Sequence, residues 1–247
     1  MYDLKLTEKT ITHISSGNIK VGAIPQFNTL PSNEVISVST IGVLTDVKGT
    51  CSNLCEACKG SCYAIRSLKC HHNVIVKAWG ENTLLLRNRP EQVKNDIINY
   101  INRKGVKYFR FHTSGEWESV EHIKLYKEIC ESCQDCNFYI YTKAFDLLLD
   151  YFRNGGTFPK NFVVNLSELK GKIDTFTKEN NVEDNIKALF ESLNIFSYDD
   201  KTPECMVAKV SMPHCPAVNE KGKETGVTCD KCRRCMTRGH RTAVFDH

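Results

Sequence analysis

Several common signatures are missing from these 247 residues. No Gly-x-x-x-x-Gly-Lys-Ser/Thr loop, Gly-x-Gly-x-x-Gly turn or Gly-x-Ser-x-Gly elbow occurs. That excludes the usual nucleotide-hydrolase, dinucleotide-binding and serine-hydrolase designs. No apolar run reaches the roughly 18 residues that cross a bilayer. Met1-Tyr-Asp-Leu-Lys lacks the basic start and long apolar stretch of an export signal, so a cytoplasmic chain with no membrane role is the expectation. Charge is nearly balanced, with 33 Lys and Arg against 29 Asp and Glu. A net +4 permits a nucleic-acid partner without arguing for one. There is no internal repeat and no low-complexity run.

One residue type is in excess. Thirteen cysteines are present, and most fall in clusters at two- or three-residue spacing. In a reducing compartment such clusters bind metal more readily than they form disulfides. The first is Cys51-x3-Cys55-x2-Cys58-x3-Cys62, four thiols in one continuous loop. Soft thiolates select zinc or iron–sulfur clusters. Zinc usually takes paired knuckles separated by a longer loop, whereas one continuous loop suits a [4Fe–4S] cluster. Cys51, Cys55 and Cys58 would leave a fourth iron open. The last cluster joins Cys215 to Cys229-x2-Cys232-x2-Cys235, a closed four-thiolate set for an auxiliary iron–sulfur cluster or a zinc ion. The middle one, Cys130-x2-Cys133-x2-Cys136, has the same spacing and reads as a third site or as buried thiols.

The chain between these clusters alternates. Residues 1–34 read as an irregular lead-in with room for a short strand or two. Val35 to Val43 is β-branched and reads as the strand before the first cysteine loop. Helical periodicity follows over Val74 to Arg87 and Glu91 to Arg103. Strands are then expected over 106–112, 137–142, 161–166, 194–198 and 206–212. Helices are expected over 120–130, 145–152 and 182–193. Strand–helix alternation implies a parallel sheet with crossover helices, and five or six strands suit a partial (β/α) barrel over 35–212. Residues 213–247 form a C-terminal cysteine-rich, metal-binding knuckle with a basic tail. Function in such folds gathers at the carboxyl ends of the strands. The first cysteine loop, His112 to Glu116, Thr142-Lys143, and Asn165 with Ser167 all fall there.

Cys51-x3-Cys55-x2-Cys58 resembles the cluster motif of the radical S-adenosylmethionine (SAM) superfamily. The resemblance implies a partial (β/α) barrel, three cysteines on a [4Fe–4S] cluster, and SAM on the open iron. It implies that the turn at Ser114, Gly115 and Glu116 holds the SAM amine, and that Asn165 and Ser167 contact its ribose or carboxylate. Ala57 and Trp117 stand where that superfamily carries an aromatic residue and a proline. Cys62 extends the ligand set, so Cys51, Cys58 and Cys62 form a second possible trio. The chain more closely resembles the phage gene product 88 family. Cys62-Tyr63-Ala64, the run from Arg110 to Glu116, Tyr141-Thr142-Lys143, Asn165-Leu166-Ser167 and Cys229-x2-Cys232-x2-Cys235 carry that likeness over residues 35 to 241. A phage protein would act in the host cytoplasm, with a nucleic acid or modified nucleotide as a substrate of that context.

Overall fold

The computed structural model describes residues 6–18, 21–40, 43–53, 62–70, 72–168, 172–199, 214–217, 219 and 223–245. Cys55, Cys58 and the strand expected over 206–212 lie outside them. The chain begins with β1 (Ile14–Ser15), β2 (Gln26–Phe27) and the hairpin β3 (Val35–Thr40) and β4 (Val43–Lys48). Three helices follow: α1 (Tyr63–Cys70), α2 (His72–Asn88) and α3 (Pro90–Lys104). Then come β5 (Tyr108–Phe111), α4 (Val120–Ser132), β6 (Asn137–Thr142), α5 (Phe145–Arg153) and β7 (Phe162–Glu168). The remaining elements are α6 (Lys172–Glu179), α7 (Asp184–Glu191), β8 (Asn194–Asp199), α8 (Cys229–Cys232) and β9 (Arg241–Phe245).

Local sequence explains where these elements start and stop. Helix α3 opens on Pro90, whose missing N–H costs nothing at a helix start. It buries Val93, Ile97 and Ile101, one stripe at four-residue spacing, and ends at Gly105 with φ +61. Helix α4 starts where Ser119 accepts a hydrogen bond from His122 N.

Seven strands form one sheet in the order β1-β2-β5-β6-β7-β8-β9. Strand β1 is antiparallel to β2, and every later pairing is parallel. The six parallel strands therefore lie side by side in chain order. Right-handed crossovers in such an order put all the connecting helices on one face. That face is apolar. Phe109, Phe111, Phe138, Ile140, Phe162, Val164 and Leu166 share a core with Val93, Ile97, Ile123, Leu148 and Phe152 of the helices.

One expectation changes and one helix is added. Val35 to Val43 is not a strand of the parallel sheet. It breaks at Thr40 and returns as β4, in a separate antiparallel pair. The strand before the first cysteine loop in the parallel sheet is β2, which with β1 makes the two short strands of the lead-in. The expected helix over 182–193 is α7, ending at Glu191 so that β8 starts at Asn194, and α6 precedes it as a helix not expected from the sequence.

Candidate metal centres

The first cysteine loop starts at the carboxyl end of the sheet. Thr50 and Cys51 are tied back to the chain after β2, with Thr50 N donating to Leu30 O (2.9 Å) and Cys51 N to Ser32 O (2.9 Å). The turn after β5 presses on this anchor. Glu116 N donates to Thr50 Oγ1 at 2.9 Å. Gly115 has φ +89, and a Cβ there would stand 1.9 Å from Thr29 Oγ1. Only glycine fits, because the backbone both turns left-handed and closes on Thr29. Cys51 and Cys62, which bracket the loop, are each half-buried. Thr50 was not singled out by sequence, since a lone threonine carries no pattern.

The predicted SAM-binding residues in this turn are engaged with the protein itself. Ser114 Oγ donates to Thr29 O (2.8 Å), and its N–H donates to Asn28 Oδ1. The Glu116 carboxylate accepts from Trp117 N and Lys143 N, both at 2.9 Å. Burial nevertheless pushes the Glu116 carboxyl up to about 7, against the pull of those amides. His112 takes a left-handed φ of +52 and is buried beside Tyr126, whose hydroxyl is 2.7 Å from His112 Nε2. Burial pushes His112 down to about 3, so the ring is neutral.

The inner face of the sheet, opposite the helices, is polar. Register places Gln26, Arg110, Tyr139 and Val163 in one row across four strands. Tyr141, Asn165 and Asn194 form the next row. The C-terminal cysteine segment covers this face. Met236 packs with Ile24, Tyr139 and Val163. Asn165 Nδ2 donates to Cys235 O (3.0 Å) as well as Ile140 O, and Asn194 Nδ2 donates to Thr237 O (2.8 Å) and Asn165 Oδ1. Asn165, expected to contact a cofactor, thus pins the knuckle to the sheet. Ser167 lies on β7 opposite Phe196 of β8.

Two arginines of the basic tail are also used internally. Arg238 donates to the Phe158, Pro159 and Phe162 carbonyls, and Arg233 lies 4.8 Å over the Tyr108 ring.

Cys215, Cys229, Cys232 and Cys235 are close enough that the first three act electrostatically on Cys235, which burial pushes up to about 12. None of the described cysteines forms a disulfide. No three His, Cys, Asp or Glu side chains among the described residues are yet drawn together tightly enough to hold a metal ion. The donor set nonetheless fits one in kind, because it is all thiol and faces a half-buried cation. Arg110 lies between the Tyr139 and Tyr141 rings (5.6 and 4.8 Å to their centroids) and feels Cys229 and Cys235. Its Nε, Gln26 Nε2 and the Tyr139 hydroxyl are buried without hydrogen-bond partners. The Tyr139 hydroxyl is near enough to feel the guanidinium, but no bond of good geometry closes between them. The alternation Tyr108 to His112 held the signal for Arg110, a lone cation in an aromatic strand.

Cys130, Cys133 and Cys136 lie at the opposite end of the sheet, where α4 hands over to β6. All three are buried within the apolar core. Desolvation pushes each thiol up, Cys136 to about 12 and Cys130 well above its ordinary value. Asn161 Nδ2 reaches the carbonyls of all three cysteines, at 2.8, 3.2 and 3.0 Å.

A model of a family described as gene product 88 matches residues 5–238. The chain belongs to the gene product 88 family. No curated protein and no solved structure matches it. For this gene product 88 protein, no helix among the described residues is long and apolar enough to cross a membrane.

Proposed function

We propose that this protein is a thiolate-ligated metalloprotein of radical SAM type. It holds a [4Fe–4S] cluster in the loop from Cys51 to Cys62, through Cys51, Cys55 and Cys58 with Cys62 beside them. A second centre, zinc or iron–sulfur, is held by Cys215, Cys229, Cys232 and Cys235. The observation that carries this reading is the contact between Glu116 N and Thr50 Oγ1, one residue before Cys51. It puts the turn after the second parallel strand against the base of the cysteine loop that follows the first, at the carboxyl ends of strands wound in chain order. A partial barrel is the matching closure of that sheet. A reduced cluster bound in the loop would supply one electron to cleave SAM into methionine and a 5′-deoxyadenosyl radical. The chain's own part is to hold SAM beside the loop and keep water away.

A second reading has its own support. The Ser114 hydroxyl, the Glu116 carboxylate oxygens and the Asn165 amide already bond within the protein. In that reading the centres, iron–sulfur or zinc, are structural and the basic C-terminal knuckle binds nucleic acid or a host protein without chemistry. Anaerobic purification separates the two. A brown protein with about four irons per loop, yielding 5′-deoxyadenosine from SAM after reduction, supports the first. A colourless protein carrying only zinc overturns it. Iron without SAM cleavage leaves the second reading.

A further inference from the structure

We infer that Arg110 is the counter-ion of the C-terminal thiolate centre, and that Arg110, Gln26 and Tyr139 form the seat on which this centre docks against the sheet. The inference rests on the reading that Cys215, Cys229, Cys232 and Cys235 hold a metal.

A guanidinium stays protonated in any protein. Arg110 is only partly exposed and its Nε is sealed from solvent without a partner, so its charge is incompletely solvated and favours a nearby anion. Among the described residues no carboxylate pairs with Arg110. The groups whose charge bears on it most are Tyr139, Tyr141, Cys229 and Cys235. Phenols and thiols are neutral until something removes their protons. Metal binding does so, because a coordinating thiol is deprotonated outright. Four thiolates around a divalent cation, or around a doubly charged [4Fe–4S] core, leave two net negative charges. That is the anion the guanidinium lacks.

The hydrogen-bonding inventory agrees with an anionic, sulfur-rich occupant. Gln26 Oε1 already accepts from the Thr113 hydroxyl, so its Nε2 is left pointing elsewhere as a pure donor. Arg110 Nε is a donor only, and the Tyr139 hydroxyl can donate. The unpartnered set is a row of groups on adjacent strands that can all donate, two of them donors only and the Tyr139 hydroxyl able to donate or accept. Donors of this kind bond the sulfurs of a metal centre from outside and tune its affinity. The knuckle is held over the row by Asn165 and Asn194 through backbone carbonyls at Cys235 and Thr237, so the thiols are delivered to the donors.

The test measures metal bound per full-length chain and its retention against a chelator titrated in stages, with zinc as the probe. Cys232→Ser should remove one centre from wild type. Arg110→Met should weaken that centre by about 10–100-fold while leaving metal in the Cys51–Cys62 loop unchanged. Arg110→Lys, which keeps charge but not the Nε donor, should fall between. Tyr139→Phe guards against misfolding of the Arg110 variants. If the hydroxyl donates to a metal-bound sulfur, this variant loses zinc affinity severalfold. If nothing occupies the seat, deleting an unpaired buried hydroxyl leaves affinity unchanged and stability the same or higher. Unchanged zinc retention in folded Arg110→Met and in Tyr139→Phe overturns the inference alone. Unchanged metal content in Cys232→Ser removes the underlying reading and the inference with it.

Discussion

Two cysteine triplets in this chain share the spacing Cys-x2-Cys-x2-Cys and differ in everything around it. Cys130, Cys133 and Cys136 are sealed in the aromatic core on the helix-covered face. There every strong polar partner is spoken for: Asn161 bridges their carbonyls, and the Cys136 thiol points to Asn137 O at 3.9 Å. Cys229, Cys232 and Cys235 lie on the other face, half-buried or exposed, with a fourth cysteine and a half-buried guanidinium, its Nε unpartnered, near them. Burial pushes Cys136 and Cys235 alike up to about 12, so what separates the triplets is the solvent access of Cys229 and Cys232 and the cation near the knuckle. Spacing makes a triplet able to chelate, and the surroundings decide whether it does.

The largest effect that would break this comparison is in metal content. Cys232→Ser should lose one whole centre and several kcal/mol of stability, on the order of what small thiolate sites contribute to folding. Cys133→Ser should lose none. Elemental analysis of both variants, purified side by side, decides the matter, and equal losses would erase the distinction.

Glu116 sharpens the same contrast by titration. It belongs to the satisfied side, with both carboxylate oxygens on backbone amides, yet burial raises its folded value to about 7 from an ordinary 4.5. A raised carboxyl is protonated in the fold while already ionised in the unfolded chain. No stability is lost to it below about pH 4.5. Stability then falls as pH rises to about 7, by on the order of 3 kcal/mol in total, and is level above that. Buried His112, held near 3, gives an opposite slope up to about pH 6.5 in both proteins, so the stability of wild type minus that of Glu116→Gln, from urea unfolding across pH 4.5–8, should fall by this amount as pH rises. A ligand ammonium at Glu116 would flatten the wild-type slope when SAM is added.

Much of the fold could be read from the chain, because β5, β6 and β7 alternate aromatic and polar residues and their helices carry full apolar stripes. Strand β2 could not. Gln26-Phe27 is two residues long, too short for any period to register, and it is held by pairing with β5 rather than by its own propensity. The hairpin β3–β4 misled for the opposite reason: it is rich in β-branched residues, which favour a strand without saying which sheet it joins. The cysteine clusters were visible by spacing. Arg110, Gln26 and Tyr139 were not legible as a group, since 84 and 29 residues separate them in turn and only the register of three strands makes them neighbours.

Asn161 tests the satisfied side directly. One amide nitrogen serves three carbonyls at the turn from α4 into β6. Asn161→Ala strands these buried acceptors and should cost about 2 kcal/mol. The loss should appear as a lower urea midpoint with an unchanged slope, and with metal content untouched.

The smallest effect belongs to the middle triplet itself. Cys133 is 5% exposed, so Cys133→Ala removes one buried sulfur and leaves a small void. A truncation of that size costs about 1 kcal/mol. Because the native thiol is pushed up by desolvation, it also reacts slowly with a thiol reagent at neutral pH, while exposed Cys232 in metal-stripped protein reacts quickly. Reagent kinetics on the folded, metal-free chain should therefore resolve a fast group containing Cys232 from a slow group of Cys130, Cys133 and Cys136 that reacts only on unfolding. If the middle triplet reacted as fast as the knuckle, its burial would not be what keeps it from binding metal, and identical spacing would again be expected to mean identical chemistry.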